Sequence, residues 1–169
     1  RLWQSNENLD NLFAGLDAEE ATRVNVIFFG PYLALGQDAP TSNSILFHAQ
    51  DNGLSRQERY YWRIRSYDSF SDGIWGTSIG NTRSYSPSSR PLEYLNDIGV
   101  SEEFKFTVVN TRLGALVTPA RPTWVDLPSR MLYVEGEDGQ LEPIVFLPNE
   151  PVLPGEEYLV QSIVWEPTQ

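Results

Sequence analysis

The chain has 169 residues, which fits one domain or one domain with a small appendage. Its net charge of −11 argues against binding to nucleic acid or anionic lipid, because both of these partners require a basic protein surface. The absence of cysteine excludes disulfides, thiolate metal sites and a cysteine nucleophile within this segment. Hydrophobic residues make up 40% of the chain, enough for a substantial core.

Residues 1–21 are predicted to form a short N-terminal helix and linker. Leu9, Leu12, Phe13 and Leu16 follow the i, i+3, i+4, i+7 spacing of one helix face. This is the only stretch of the chain with helical periodicity, so we expect the helix to pack on the domain or to act as a stalk.

Residues 22–169 are predicted to form an antiparallel β-sandwich of immunoglobulin-like architecture, because many short strands alternate with turn residues. Asp138-Gly139 between two apolar runs indicates a hairpin. The segment from 78 to 101 is rich in Ser, Pro and Asn and is predicted to be one long surface loop. The predicted strands are 23–29, 44–50, 59–67, 73–78, 102–110, 114–119, 130–136, 140–147 and 157–165.

The most distinctive stretch of the sequence is YYWRIRSYDSFSDGIW, residues 60–75. On an extended strand, Tyr60, Trp62 and Ile64 share one apolar face, which we expect to belong to the core. The opposite face alternates phenol and guanidinium groups, so the arginines can lie against the tyrosine rings. That face consists of Tyr61, Arg63, Arg65 and Tyr67.

A chain reversal is predicted at the end of this stretch. Asp68, Asp72 and Gly73 favour a tight turn, after which the chain re-enters the sheet at Ile74. Two interpretations remain open. The favoured one is an aromatic-anchored hairpin of a β-sandwich, and the other is an aromatic platform that binds a sugar or a peptide.

Residues with catalytic potential give no convincing set. The single histidine, His48, lies near Asp51, but one histidine is a poor basis for a metal site and no Gly-x-Ser-x-Gly motif accompanies it. Carboxylate pairs could serve a glycosidase, although adjacent acids in strands and turns are more often solvated. These acids are Glu102 and Glu103, Glu135 to Asp138, and Glu156 and Glu157. We predict no metal, no cofactor and no catalytic set in this segment.

Part of the distinctive stretch resembles a motif of bacterial membrane-anchored transglutaminase-like proteins, YWR-x-R-x-YD-x-Y-x-G-x-x-W. Phe70 stands where the family has tyrosine. The matching residues are Tyr61-Trp62-Arg63-Ile64-Arg65-Ser66-Tyr67-Asp68, Phe70, Asp72-Gly73 and Trp75. Weaker matches follow in the family's order at Phe104–Val108, Leu116–Ala120 and Gly155–Trp165, so that the resemblance covers residues 22–168.

The resemblance implies a β-rich extracytoplasmic region between a multi-span membrane segment and a transglutaminase-like core. In that family the catalytic Cys, His and Asp belong to the later core, where a thiolate attacks an amide. No residue of this chain matches them, so no catalytic role is carried over. The chain begins without an initiator methionine, and we expect it to be a segment of a longer protein.

We therefore predict a non-catalytic domain that spaces, orients or shields a downstream catalytic domain of the same chain. The domain is also expected to help present a protein or cell-wall substrate, with no nucleic-acid partner and no membrane insertion by this segment. The candidate binding residues are Tyr61, Arg63, Arg65, Tyr67, Trp75 and Trp124. The alternative is a stand-alone carbohydrate- or peptide-binding β-sandwich that uses exposed Trp75, Trp124 and Tyr85.

Overall fold

The computed structural model describes residues 26–27, 32–34, 44–52, 60–77, 81–89, 91–93, 99–136 and 139–164. These residues form strands, turns and irregular segments with no helix among them, which confirms the predicted mainly β character. The predicted helix of residues 1–21 lies outside the described residues. Within the described ranges, no helix has the length and apolar character needed to span a membrane.

Fourteen strands lie in the described part of the chain. In chain order they are β1 Val26–Ile27, β2 Tyr32–Ala34, β3 Phe47–Asp51, β4 Trp62–Arg63, β5 Ser69–Ser71, β6 Ile74–Gly76, β7 Asn81–Tyr85, β8 Val100–Val108, β9 Arg112–Leu113, β10 Thr118–Pro119, β11 Arg121–Val125, β12 Ser129–Glu135, β13 Leu141–Pro148 and β14 Glu157–Val164.

The largest sheet is antiparallel, with strand order β11-β14-β8-β3. Strands β8 and β14 alternate buried and partly exposed residues, as expected for a sheet with one face on a core and one toward solvent. Their buried faces carry Phe104 and Phe106 on β8 and Tyr158 and Val160 on β14. The sheet therefore presents an aromatic and aliphatic inner face.

The second antiparallel sheet has strand order β13-β12-β7. The β12–β13 hairpin confirms the predicted reversal near Asp138-Gly139, and Gly139 has the positive φ of 73° that such a turn favours. In β13, four consecutive residues from 143 to 146 are buried. A register shift between Leu132 and Tyr133 falls opposite this run, and Ile144 and Val145 pack with Ala115 and the partly buried Ile64 in a second, smaller cluster.

One hydrophobic core joins the two sheets. Phe106 stacks on Tyr158 in the four-stranded sheet at 5.1 Å, and Tyr85 meets Phe146 edge-on in the three-stranded sheet at 5.2 Å. The Tyr85 hydroxyl accepts a hydrogen bond from the Val125 N–H at 3.1 Å, which ties β7 to β11. Both sheets therefore fold as one packed unit.

Three small sheets complete the described structure. Strand β1 pairs in parallel with β9, β4 pairs antiparallel with β10, and β2, β6 and β5 form an antiparallel sheet in that order. Strands β2, β5, β9 and β11 lie outside the ranges predicted from sequence, because they are short and contain little hydrophobic alternation.

Three sequence predictions are wrong in extent. The predicted strand 114–119 is reduced to Thr118–Pro119. The predicted strand 59–67 is reduced to Trp62–Arg63, because the chain leaves the extended pairing at Ile64 to reach the three-stranded sheet. The predicted long loop 78–101 contains strand β7, Asn81–Tyr85, which pairs residue by residue with β12. Its NTRSY sequence has only one large apolar residue, so backbone pairing and the burial of Tyr85 define it rather than an apolar pattern.

Candidate functional site

The distinctive aromatic stretch divides into two parts with different surroundings. Residues 60–66, here called the bridging segment, contact both main sheets. Residues 69–76, here called the aromatic hairpin, form β5, β6 and the turn between them. Among the described residues, only the aromatic hairpin exposes both rings of a contacting aromatic pair.

The bridging segment packs its aromatic side on the four-stranded sheet. Trp62 meets Phe104 at 5.5 Å and Phe106 at 5.3 Å between ring centroids, both nearly perpendicular. Tyr60 lies edge-on to Phe104 at 4.9 Å, and its hydroxyl donates a 2.8 Å hydrogen bond to the Asp51 carboxylate. Edge-to-face contacts of this kind stabilise beyond the area that they bury. This face therefore packs against the core, as predicted, but lies at its margin: Tyr60 and Ile64 are partly buried and Trp62 keeps 36% of its surface exposed.

The other end of the bridging segment is hydrogen-bonded to the three-stranded sheet. The Arg63 guanidinium donates to the Pro143 carbonyl and to the Ser66 hydroxyl, both at 3.0 Å. The Ser66 N–H donates to the Ile144 carbonyl at 3.2 Å. Arg63 therefore supplies a donor to a backbone carbonyl of β13. Arginine suits this position because its guanidinium has several donors in one plane and can bond to two acceptors at once.

Arg65, near the end of the bridging segment, lies beside Tyr67, which follows that segment. The Arg65 guanidinium is 5.9 Å from the centre of the Tyr67 ring and donates to the Thr77 hydroxyl at 3.4 Å. Burial lowers the pKa of Arg65, and the neighbouring Tyr67 partly opposes this shift. Burial likewise raises the pKa of the Tyr67 phenol, with Arg65 opposing. The predicted stacking of arginine on tyrosine therefore occurs at this pair.

The aromatic hairpin turns at Asp72-Gly73, as predicted. Both residues have positive φ, 52° and 78°, and Ser71 pairs directly with Ile74. Positive φ at both central residues of a two-residue loop defines a type I′ turn, whose twist matches that of paired strands. The turn thus fixes the register in which Phe70 lies opposite Trp75.

The hairpin exposes its aromatic pair. The ring centroids of Phe70 and Trp75 are 4.9 Å apart and the ring planes are inclined by 41°. Phe70 is 52% exposed and Trp75 is 39% exposed. Sequence reasoning did not include Phe70 among the candidate binding residues. The signal that identifies it is the Asp72-Gly73 turn, because a two-residue loop places Phe70 directly across from Trp75.

The remaining predicted binding residues do not gather around this pair. Tyr61 is 85% exposed, at the start of the bridging segment. Trp124 is partly buried, and its indole N–H donates to the Pro87 carbonyl at 2.8 Å. The expectation that Tyr85 is exposed is wrong, because its ring lies in the core and its hydroxyl bonds to Val125.

The carboxylate pair Glu102 and Glu103, considered from sequence, is separated by the fold. Glu102 is 1% exposed on the inner face of β8, whereas Glu103 points to the outer face, where it accepts a hydrogen bond from Gln161 at 3.4 Å. Adjacent residues of a strand point in opposite directions, so these two acids do not form a catalytic pair. In the described residues, no group of three or more His, Cys, Asp and Glu is placed to hold a metal ion.

Asp126, Tyr158 and Tyr85 are the other described groups whose pKa is clearly shifted, and burial raises it in each. Burial raises the pKa of the Asp126 carboxyl, backbone N–H groups oppose the shift, and the nearby Glu103 adds to it. Burial also raises the pKa of Tyr158, whose hydroxyl donates to the Val117 carbonyl and accepts from the Val117 N–H, each at 3.0 Å. Tyr158 therefore remains protonated and fixes the chain beside β10.

Among these features, the bridging segment has a structural role that its contacts explain, and the exposed Phe70–Trp75 pair is the best candidate for contact with a ligand or partner. Comparisons of the chain with protein-family models, with curated proteins and with solved structures each gave no match.

Proposed function

We propose that this chain is a non-catalytic β-sandwich domain that spaces and orients the catalytic domain of a transglutaminase-like membrane protein on the extracytoplasmic side. The family part of the proposal is supported by the ordered sequence motifs between residues 22 and 168. The immunoglobulin-like form is supported by two antiparallel sheets that share one core.

The observation that carries the orienting role is the position of β14. This strand lies between β11 and β8, with Glu157–Val164 paired to β8 along its whole length. The last strand that the structure describes before residue 169 is therefore an interior strand, paired up to Ile163 with β11 and up to Val164 with β8. A chain that leaves from an interior strand has a fixed starting point, which suits a spacer that sets orientation.

The bridging segment supports the same role. Through Trp62 on one side and Arg63 on the other, it connects the two sheets and limits their relative movement. A motif that the resemblance identifies as typical of the family is thus used for internal stiffness in this chain. Stiffness between a membrane anchor and an enzyme core is what a spacer requires.

The coding sequence on both sides of the segment gives the first test. The proposal predicts several apolar helices before Arg1 and a Cys, His and Asp pattern after Gln169. A stop codon directly after Gln169, with only a signal peptide before Arg1, contradicts the proposal.

A linker insertion in the full-length protein tests the orienting role itself. A flexible Gly-Ser insertion of about six residues after Gln169 is expected to lower catalytic turnover by roughly tenfold, because it releases the orientation set by β14. The matched control is the same insertion at Gly139, in the β12–β13 turn, which leaves the path from β14 unchanged. Equal activity of both variants contradicts the orienting role.

A second candidate function, a peptide- or carbohydrate-binding module, is favoured by the exposed Phe70–Trp75 pair. Exposed aromatic side chains in contact with one another are frequent centres of recognition surfaces. Titration of the domain with a panel of peptides and cell-wall saccharides tests it, with Trp75→Ala as the comparison. A flat response across the panel contradicts this second function.

A further inference from the structure

The free edge of the aromatic hairpin is the starting observation. In the described part of the chain, β5 pairs with β6 on one side and no strand pairs with its other side. Ser71 and Ile74 flank a two-residue turn, so they exchange both backbone hydrogen bonds, and the next pair, Phe70 and Trp75, exchanges none. The N–H and C=O of Phe70 therefore point toward the outer edge of β5.

The side chains next to that edge are aromatic and acidic. Phe70 and Trp75 expose their rings, and Asp68 and Asp72 lie exposed on either side of β5. The basic residue nearest in sequence, Arg65, is half-buried and held over Tyr67. The chain as a whole carries a charge of −11 and has a single lysine, so its field favours a cation.

We propose that β5 and the Phe70–Trp75 pair form a docking site for an extended segment of another protein that carries arginine or lysine side chains. The segment adds to the sheet as a strand beside β5 and shares hydrogen bonds with the Phe70 backbone. A basic side chain lies over the Trp75 ring while Asp68 and Asp72 attract it. This inference deepens the second candidate function and rests on it.

The geometry favours a peptide over a saccharide. The two rings are inclined by 41°, so they do not make the flat surface on which a sugar ring stacks across both. A free backbone edge provides regularly spaced donors and acceptors that match another strand. The acidic residues add a preference for cations that a neutral saccharide cannot use.

A titration with alternating threonine–arginine peptides, about seven residues long, tests the proposal. Binding is followed by amide chemical-shift changes in the whole chain at low ionic strength. We expect shifts centred on residues 69–76 and weaker binding as salt is added. The Trp75→Ala variant is expected to bind roughly fivefold more weakly, and Asp72→Asn about twofold more weakly.

Matched controls separate the two parts of the contact. A peptide with glutamate in place of arginine is expected not to bind, and one N-methylated on its pairing edge is expected to lose binding because it cannot donate to β5. Leu153→Ala, which removes an exposed apolar side chain elsewhere, is expected to leave the affinity unchanged. Unfolding of each variant in urea checks that the fold is retained.

Three outcomes overturn the proposal. They are equal binding of the glutamate peptide, an affinity unchanged by Trp75→Ala, or an affinity unchanged by N-methylation. Binding of a neutral oligosaccharide through Trp75, with no binding of the basic peptide, overturns it in favour of a saccharide site. None of these results alters the linker-insertion experiment, so the orienting role and the docking site fail separately.

Discussion

Trp62 and Trp75 are almost equally exposed, at 36% and 39%, but the structure uses them differently. Trp62 lies edge-on to two fully buried rings, Phe104 and Phe106. Trp75 has one ring contact among the described residues, the exposed Phe70. Fractional exposure alone therefore does not separate a structural tryptophan from a candidate binding tryptophan, whereas the burial of the neighbouring rings does.

The largest expected difference comes from removing each tryptophan in turn. Trp62→Ala should lower the free energy of unfolding by about 2–3 kcal/mol, because it leaves a gap against Phe104 and Phe106. Trp75→Ala should lower it by less than about 1 kcal/mol, since it removes only surface contacts. Urea unfolding of both variants gives the two values. Tyr61→Ala, at a highly exposed neighbour of Trp62, is the control, and equal losses for the two tryptophans contradict the comparison.

The two arginines of the bridging segment, Arg63 and Arg65, should differ in the same way as the two tryptophans, with smaller effects on the free energy of unfolding. Arg63→Ala should cost about 1–2 kcal/mol, because the Pro143 carbonyl and the Ser66 hydroxyl lose a charged donor. Arg65→Ala should cost less than about 1 kcal/mol, because the Arg65 guanidinium makes a long hydrogen bond of 3.4 Å and a ring contact at 5.9 Å. Unfolding midpoints in urea measure both. A larger loss of unfolding free energy in Arg65→Ala than in Arg63→Ala would contradict the role of Arg63 in connecting the two sheets.

A substitution in the turn of the aromatic hairpin should affect the hairpin and leave the bridging segment unchanged. Gly73→Ala should cost about 1 kcal/mol, because φ is +78° and alanine is disfavoured there although no atom obstructs its Cβ. Gly114→Ala is the matched control, since its Cβ also meets open space but φ is not positive. Amide exchange should accelerate at residues 69–76 in Gly73→Ala alone. Acceleration throughout the domain would show that the hairpin is not an independent part.

Substitution of Asp126 should have the smallest effect on the free energy of unfolding, and this effect should depend on pH. Burial raises the pKa of its carboxyl in the folded state above the ordinary value, so the contribution of this group to stability is present at low pH and is lost as pH rises through the folded pKa. Asp126→Asn should therefore raise the unfolding free energy near neutral pH by less than about 1 kcal/mol and flatten this part of the pH profile. Because the Ser66 amide exchanges hydrogen only when the main sheets unfold, Asp126→Asn should also slow its exchange. Hydrogen exchange of the amides in the aromatic hairpin should stay unchanged. Thermal unfolding between acidic and neutral pH measures the first effect, and an unchanged pH profile contradicts it.

The sequence predicts those elements in which local chemistry and side-chain pattern agree. The long strands β8, β13 and β14 alternate or concentrate apolar residues, and Asp72-Gly73 favours one specific turn, so each of these predictions is confirmed. The immunoglobulin-like topology is a finer prediction and remains part of the proposed function.

The sequence fails where partners distant in the chain decide the structure. Asn81–Tyr85 becomes a strand because β12 supplies its hydrogen bonds, and its own residues give no apolar alternation. The strand predicted at 59–67 ends early because Ser66 bonds to Ile144 in another sheet. Likewise, Tyr85 and Trp75 are both aromatic strand residues, yet only tertiary packing makes the first buried and the second exposed.

Native-state hydrogen exchange tests the central comparison most directly, because it reads both parts of the stretch in one unaltered molecule. The account predicts that the Ser66 amide, bonded to the Ile144 carbonyl, exchanges only with unfolding of the two main sheets. The amides paired between Ser69–Ser71 and Ile74–Gly76 should exchange earlier, through local opening of the hairpin. Equal protection of the two sets, or stronger protection of the hairpin, would contradict the division of this stretch into a structural part and an exposed part.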